Sequence, residues 1–274
     1  MNAPIAIAQR GTTMNEKILS SKEGAIGHVV FNNPDKLNAI SLQMWEGMGA
    51  AVDAFERDAD IRVIVLYGAG GKAFVAGADV SKYEEERMGD NAQEHYARTG
   101  ERALSSLYNS SKATIAAIDG YCIGGGISVA VSCDLRIATA KSQFGQPAMR
   151  YGIGYRYKSL RRVADLIGPA AAKDLLIGGY MFDAQEAYVK GLVGRVLPED
   201  GFMDAIVAQA RKIADGAPLT LRQVKHAIAQ IVMDPAERDL DEAERLFQQC
   251  YASRDYREGI RAFAEKRKPH FVGA

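Results

Sequence analysis

One stretch constrains this chain more than any other: Ala117-Ile118-Asp119-Gly120-Tyr121-Cys122-Ile123-Gly124-Gly125-Gly126-Ile127-Ser128. An apolar strand run, Thr114 to Ile118, stops at Asp119-Gly120. Three glycines follow, and then the apolar run Ile127, Val129, Ala130, Val131. This order predicts a strand, a turn and the N-terminus of a buried helix, with the glycines at the junction. The first N–H groups of a helix have no intrahelical acceptor, and the helix dipole is positive at that end. Glycine lets another group come close to that backbone. Such a junction suits an oxyanion, or a carbonyl oxygen that becomes one. Tight packing alone also uses glycines in this way. No Gly-Lys-Ser/Thr follows, so the stretch is not a phosphate loop, and its glycine spacing is not that of a dinucleotide fold.

A second element of the same kind lies upstream. The strand run Arg62 to Tyr67 closes on Gly68-Ala69-Gly70-Gly71, and Phe74-Val75-Ala76-Gly77-Ala78-Asp79 follows. Its small residues again free the backbone to bond a ligand. Around these elements the pattern alternates. His28 to Phe31 is a strand broken by Asn32-Asn33-Pro34-Asp35. Trp45, Met48, Val52 and Phe55 form a helical stripe within residues 42–55, and Leu135 to Thr139 is another strand. Alternating strands and helices predict an α/β fold. After about Asp200 the chain reads as helices, with Pro218 and Pro235 near helix starts and a charged final segment, Gly259 to Lys268. The division expected is a leader at residues 1–14 with Met14 as an alternative start, an α/β core at 15–200, and a helical region at 201–274.

Charge excludes some partners. The chain of 274 residues carries 34 basic and 34 acidic side chains. A general nucleic-acid or membrane-surface binder is therefore not expected. Three cysteines, Cys122, Cys133 and Cys250, have neither CxxC spacing nor an even count, which argues against a disulfide framework or a zinc site. A reducing cytoplasm is the simplest setting, and no apolar run approaches the roughly 20 residues that span a bilayer.

Six segments together resemble the crotonase (enoyl-CoA hydratase/isomerase) superfamily over nearly the whole chain after residue 16. Pro34-Asp35-Lys36-Leu37-Asn38-Ala39 is similar to its first loop, and Phe74 to Asp79 to its F-x-A-G-x-D element. Ile118 to Gly126 resembles its triple-glycine helix start, Cys133 to Ala138 its C-D-x-x-x-A segment, and Phe144-Gly145-Gln146-Pro147 its F-G-x-P element. Glu258-Gly259, Phe263, Lys266-Arg267 and Pro269 resemble its tail. The resemblance implies a spiral of β-β-α units with C-terminal helices that build a homotrimer or a dimer of trimers. It implies an acyl-CoA thioester as substrate, in fatty-acid metabolism, with coenzyme A as part of that substrate and no metal or redox cofactor. The thioester carbonyl would accept hydrogen bonds from the backbone N–H groups of Ala78 and Gly125. Donors of this type contribute about 3 kcal/mol each to catalysis. Lys36, Asn38, Ala39, Ala76 and Asp79 would line the path of the adenine and pantetheine, and Phe263 and Lys266 would reach the CoA from the tail.

Two positions depart from that pattern. Ordinary members carry one glutamate two residues after the triple glycine and another directly after F-G-x-P. Here these positions are Ser128 and Ala148. A serine hydroxyl is a poor base near neutral pH, and alanine exchanges no proton. Efficient standard hydration is not expected. Tyr155, in Gly152-Ile153-Gly154-Tyr155-Arg156-Tyr157-Lys158, resembles in placement the tyrosine of methylmalonyl-CoA decarboxylases of the superfamily, and decarboxylation needs no strong base. Tyr155 and Tyr157 can equally be packing residues, and Arg156, Lys158, Arg161 and Arg162 either a solvated helix start or contacts to CoA phosphates. Ser128 can hold a water or satisfy a backbone group. His95 reads as a surface residue, Glu84-Glu85-Glu86 as a solvated face from which Tyr83 or one glutamate could turn inward, and Cys122 and Cys133 as core. Three functions stay open: an acyl-CoA enzyme that forms an enolate, by decarboxylation, isomerisation or nonstandard hydration; a hydrolase of thioester or C–C bonds; and a CoA-binding subunit without catalysis.

Overall fold

The computed structural model describes residues 16–274, apart from the side chains of Glu85, Arg87 and Ala148, so the expected leader lies outside the described residues. The chain begins with a hairpin, β1 (Ile18–Glu23) and β2 (Ile26–Phe31), followed by α1 (Leu42–Arg57). Next come β3 (Val63–Gly68), β4 (Ala73–Ala76), α2 (Tyr83–Arg87) and α3 (Ala92–Tyr108). A second unit is β5 (Ala113–Ile118), β6 (Tyr121–Ile123) and α4 (Gly125–Ser132). A third is β7 (Leu135–Thr139), β8 (Gln143–Gly145) and α5 (Tyr157–Ile177). Then follow β9 (Phe182–Asp183), α6 (Ala184–Val189), β10 (Arg195–Leu197), α7 (Phe202–Ala214), α8 (Pro218–Val232), α9 (Leu240–Ala252) and α10 (Arg254–Ala264).

After the opening hairpin, the strand pairs β3 and β4, β5 and β6, and β7 and β8 each contribute one strand to each of two sheets. The first sheet has the order β1-β2-β3-β5-β7-β10, parallel except for the β1–β2 hairpin. The second has the order β4-β6-β8-β9, parallel except for β8–β9. The expected α/β architecture of β-β-α units followed by C-terminal helices is the one observed.

The central strands of the large sheet, β2, β3 and β5, are buried on both faces, which is why they read as largely apolar runs rather than as alternation. From β3, Ile64 and Leu66 enter the main core with Phe31, Phe74, Ile118, Cys122, Phe144 and the helices α1, α3 and α4. Val63 and Val65 face the other way, against Phe202, Ile206 and Ala210 of α7. Helix α7 is thus the outer layer of the sheet, so the boundary expected near residue 201 falls inside the packed body. Burying one such large apolar side chain stabilises the fold by about 1.5–3 kcal/mol. Beyond α7, Lys225 of α8 reaches back to Asp134 at 2.7 Å and to the Lys112 carbonyl at 2.6 Å, tying that helix to the core. In α5 the helix kinks where Gly168 takes φ 76° ahead of Pro169, which cannot donate to the helical ladder. No helix among the described residues is long and apolar enough to cross a membrane.

Cys122 and Cys133 are buried, as expected, and burial pushes both thiols up, Cys133 to about 12. His28 was legible only as a strand residue. It is buried on the α7 side of β2, edge-on to Tyr67 at 6.0 Å, and neither ring nitrogen has a hydrogen-bond partner among the described residues. Burial holds its pKa below the ordinary value, although Glu23 at 3.7 Å pulls the other way. The unfolded chain therefore takes up this proton near pH 6.5, before the folded chain does. Stability is full above that pH and is lost as pH falls from it through the folded pKa. Urea titrations between pH 7.5 and 5 should show this decline, and His28→Leu should flatten it. An equal decline in the variant would assign the loss to other groups.

Candidate active site

The site is built where two loops meet. At the start of α4, Gly124 takes φ 56° and ψ −110°, a conformation that an L side chain resists. A Cβ there would lie 3.3 Å from Gly77 Cα and 3.6 Å from Gln146 Oε1. A Cβ on Gly126 would overlap the Val75 carbonyl oxygen. The glycines thus let the helix start lie directly on the segment 75–78, as close packing at a strand-to-helix junction requires.

That segment is held from the other side by residues 33–40. Leu37 and Asn38 are both left-handed, with φ 52° and 57°, a conformation that asparagine tolerates and leucine seldom adopts. Asn38 is fully buried. Its amide donates to the carbonyls of Ala69 at 2.9 Å and Ala73 at 2.8 Å, and its Oδ1 accepts from Asn33 N–H at 2.9 Å. Beyond this pin the two segments pair. Ala76 N–H donates to Leu37 O (3.0 Å), Ile40 N–H to Gly77 O (2.8 Å) and Asp79 N–H to Ile40 O (2.9 Å). Ile40 and Ala78 form a parallel bridge in which Ala78 N–H takes no part. Among the described residues, neither Ala78 N–H nor Gly125 N–H donates to a protein acceptor. Two uncommitted donors thus follow directly on the touching residues Gly77 and Gly124, one of them at a helix N-terminus.

The loop's exit is fixed by charge. Asp79 is only 4 % exposed. It accepts from Ser81 Oγ at 2.6 Å and Ser81 N–H at 3.2 Å, and it pairs with Lys36 Nζ at 3.3 Å. Burial would raise its pKa, but the hydrogen bonds from Ser81 and Lys36 outweigh burial and hold it below the ordinary value. Lys36, Asn38, Ala39, Ala76 and Asp79, picked out by resemblance, therefore lie on the two paired segments. Asn38 spends its side chain inside the protein, so a ligand there would meet its backbone.

The other sequence candidates lie on several different elements. Ser128 is half-buried on the first turn of α4; its N–H donates to Gly124 O at 3.2 Å and its hydroxyl makes no protein hydrogen bond among the described residues. Ala148 lies in a 3-10 turn, Pro147–Tyr151. Tyr155 follows on the loop before α5, half-buried with its hydroxyl oxygen out of solvent, while its neighbour Arg156 pairs with Glu94 of α3. Arg161 is engaged by Asp165 and Asp234, and Arg162 by Glu101. His95 is exposed on α3. Of the glutamates at 84–86, Glu86 turns inward and accepts from Leu42 N–H at 3.0 Å, at the start of α1. Phe263 is 88 % exposed on α10 and Lys266 is exposed just after it. Sequence reasoning missed Gln146, which is buried with Oε1 unpartnered among the described residues, and Trp45 and Tyr96, which lie beneath the junction. Only the stripe position of Trp45 hinted at burial.

Comparison with known proteins bears on this arrangement. Residues 21–274 match the family model described as enoyl-CoA hydratase/isomerase. The chain is 32% identical over 251 residues to the short-chain-enoyl-CoA hydratase of Clostridium acetobutylicum, covering 92% of this chain and 95% of that protein. It is 31% identical to the crotonyl-CoA hydratase of Syntrophomonas wolfei, covering 94% and 98%. Among solved structures, it superposes on an enoyl-CoA hydratase/carnithine racemase from Magnetospirillum magneticum with a TM-score of 0.88 at 36% identity, covering 96% and 97%. With the enoyl-CoA hydratase of Bacillus anthracis the TM-score is 0.84 at 29% identity, covering 94% and 100%.

The Asn38 pin can be tested by stability. Asn38→Ala removes the bonds to two carbonyls and one N–H and puts alanine, which tolerates positive φ less well than asparagine, at that position. The expected loss is about 3 kcal/mol in denaturant titration. Asn38→Gly, which accepts the backbone conformation, should recover only the smaller, conformational part. A loss below about 0.5 kcal/mol for Asn38→Ala would contradict the role given to this side chain.

Proposed function

The chain belongs to the enoyl-CoA hydratase/isomerase family, and on that premise we propose that it binds an acyl-CoA thioester and stabilises its enolate with the N–H groups of Ala78 and Gly125. The observation that carries this reading is the pair of uncommitted donors flanking the Gly77–Gly124 contact. Charge that develops on a thioester oxygen there meets two fixed dipoles and the positive end of α4, with little reorganisation needed at the moment of reaction. Lys36, Ala39, Ala76 and Asp79, together with the Asn38 backbone, line the approach of the CoA, and Phe263 and Lys266 reach it from α10 and its tail. The apolar side chains exposed on the last helices, Phe247, Tyr251, Ile260 and Phe263 among them, border a groove of about 540 Å³. They support assembly as a homotrimer or a dimer of trimers.

Ser128 and Ala148 leave the two acid/base positions neutral. Without a carboxylate to deprotonate water, hydration of an enoyl thioester is slow, and chemistry that makes its own enolate is favoured. Decarboxylation of a malonyl-type thioester does so, because loss of CO₂ leaves the electron pair on Cα. Burial of the Tyr155 hydroxyl, in a loop whose neighbouring side chains are largely exposed, favours this second reading, with Tyr155 supplying the proton.

Mass spectrometry of a panel of enoyl-, malonyl-type and β-ketoacyl-CoA thioesters separates the outcomes. Loss of CO₂ supports decarboxylation, and it should then fall at least tenfold in Tyr155→Phe; an unchanged rate would remove Tyr155 from the mechanism. Hydration of crotonyl-CoA should be slow, and the double variant Ser128→Glu, Ala148→Glu should speed it by about 100-fold or more, the usual contribution of a positioned acid/base group. If the unaltered protein already hydrates as fast as the double variant, the acid/base pair is not what it lacks.

A further inference from the structure

The two donors share one support that is not part of either loop. Trp45, on α1, is the only tryptophan in the sequence. It is buried with its indole held between two glycines. Its Cζ2 lies 3.5 Å from where a Gly125 Cβ would be, and its Cε2 lies 3.4 Å from the same position on Gly100 of α3. The indole N–H donates to the hydroxyl oxygen of Tyr96, also buried and also on α3, at 3.0 Å. That hydroxyl donates in turn to the Ile40 carbonyl at 3.3 Å. The same carbonyl accepts Asp79 N–H, the Ile40 N–H donates to Gly77 O, and the Ile40 Cγ2 methyl lies 3.0 Å from the Gly125 Cβ position. Ala78 therefore has a bond on each side to Ile40, and Ile40 is held from behind by Tyr96. Gly125 rests on the same isoleucine and on the indole that holds Tyr96.

We infer that Trp45 and Tyr96 are positioning residues for the thioester oxygen, holding the Ala78 and Gly125 N–H groups at one fixed separation. The inference rests on the reading of those groups as the oxyanion donors. Neither side chain is offered as a contact to the substrate; each acts through the backbone of Ile40 and the face of Gly125. Donors of this kind act through geometry, so a displacement well under an ångström at Ile40 weakens both their bonds to a developing oxyanion. The arrangement also makes α3 part of the site, because Tyr96 and Gly100 sit on it one turn apart. The 3.3 Å bond from Tyr96 is the longer of the two and the one a single atom removes.

Tyr96→Phe removes that atom and keeps the ring. The experiment uses full-length protein and butyryl-CoA labelled with ¹³C at the thioester carbonyl, which is saturated and does not undergo the reaction. Infrared difference spectra report how far the carbonyl stretch falls on binding. In the unaltered protein the band should shift to lower frequency. In Tyr96→Phe the shift should shrink to half or less. On the substrate that the thioester panel identifies, kcat should fall about tenfold while KM changes less than about twofold. A lower melting temperature with an undiminished carbonyl shift and kcat would make both residues packing residues and overturn the inference. No shift in the unaltered protein would overturn the reading of Ala78 and Gly125 itself; a full shift in both proteins leaves that reading standing and overturns the inference. Should Tyr96→Phe fail to fold, Trp45→Phe carries the same test, since it cuts the bond to Tyr96 and leaves an aromatic ring against Gly125; an undiminished shift there overturns the inference.

Discussion

The site depends on a pairing of one residue with one residue, the parallel bridge between Ile40 and Ala78. Two loops that no regular sheet contains are locked together by it, and both are strained or glycine-rich. Residues 37 and 38 are left-handed, and residue 77 is a glycine at φ 87°. Such conformations persist only when surroundings over-determine them. Here the surroundings are the buried Asn38 amide on one side, the Lys36–Asp79–Ser81 cluster on the other, and the Gly124 contact underneath. Each holds the backbone, and between them they leave the Ala78 N–H without a protein partner. Rigid scaffolding on every side of a deliberately uncommitted donor is what an oxyanion site requires.

Electrostatics bear directly on the proposed function. The N–H groups of Ala78 and Gly125, proposed as the donors, are uncommitted among the described residues, while Ser128 and Ala148 are both neutral. A helix N-terminus without neighbouring carboxylates at those two positions presents its dipole less opposed to an incoming negative charge. On the proposed reading, neutral residues at 128 and 148 would slow the activation of water and leave the site more tolerant of an enolate, or of a carboxylate about to leave as CO₂. Fold and family do not decide between such reactions, since chemistry resides in the particular residues at the site.

Much of this was legible in the sequence, and the reasons are physical. The strands at 26–31, 63–68, 113–118 and 135–139 announce themselves because a sheet buried on two faces demands continuous apolar runs, and α4 because glycines abut an apolar helix. Gly124 and Gly126 read as a junction from their spacing alone. Asn38 did not read as structural, because nothing local shows that its amide reaches the carbonyls of Ala69 and Ala73, more than thirty residues away. Trp45 and Tyr96 were illegible for the same reason: the stripe gives a buried face but not its partner across 51 positions. The short strands of the second sheet, such as Gln143–Gly145, are set by tertiary pairing and carry too few residues to show a period. The helix α7 was assigned to a separate C-terminal region because composition changes near residue 200, while the packing of Ile206 and Ala210 on the sheet does not appear in composition.

The acidity of a bound β-ketoacyl thioester tests the central claim most directly. Acetoacetyl-CoA ionises at the carbon between its two carbonyls, and the enolate is distinguished from the neutral form by its ultraviolet absorption. If Ala78 and Gly125 stabilise negative charge on the thioester oxygen, binding must lower the pKa of that ligand. Each unit of lowering corresponds to about 1.4 kcal/mol of preference for the enolate. Titration of the complex should show the enolate band at a pH where free acetoacetyl-CoA remains neutral. A complex that forms with measurable affinity yet titrates like the free ligand would contradict the account.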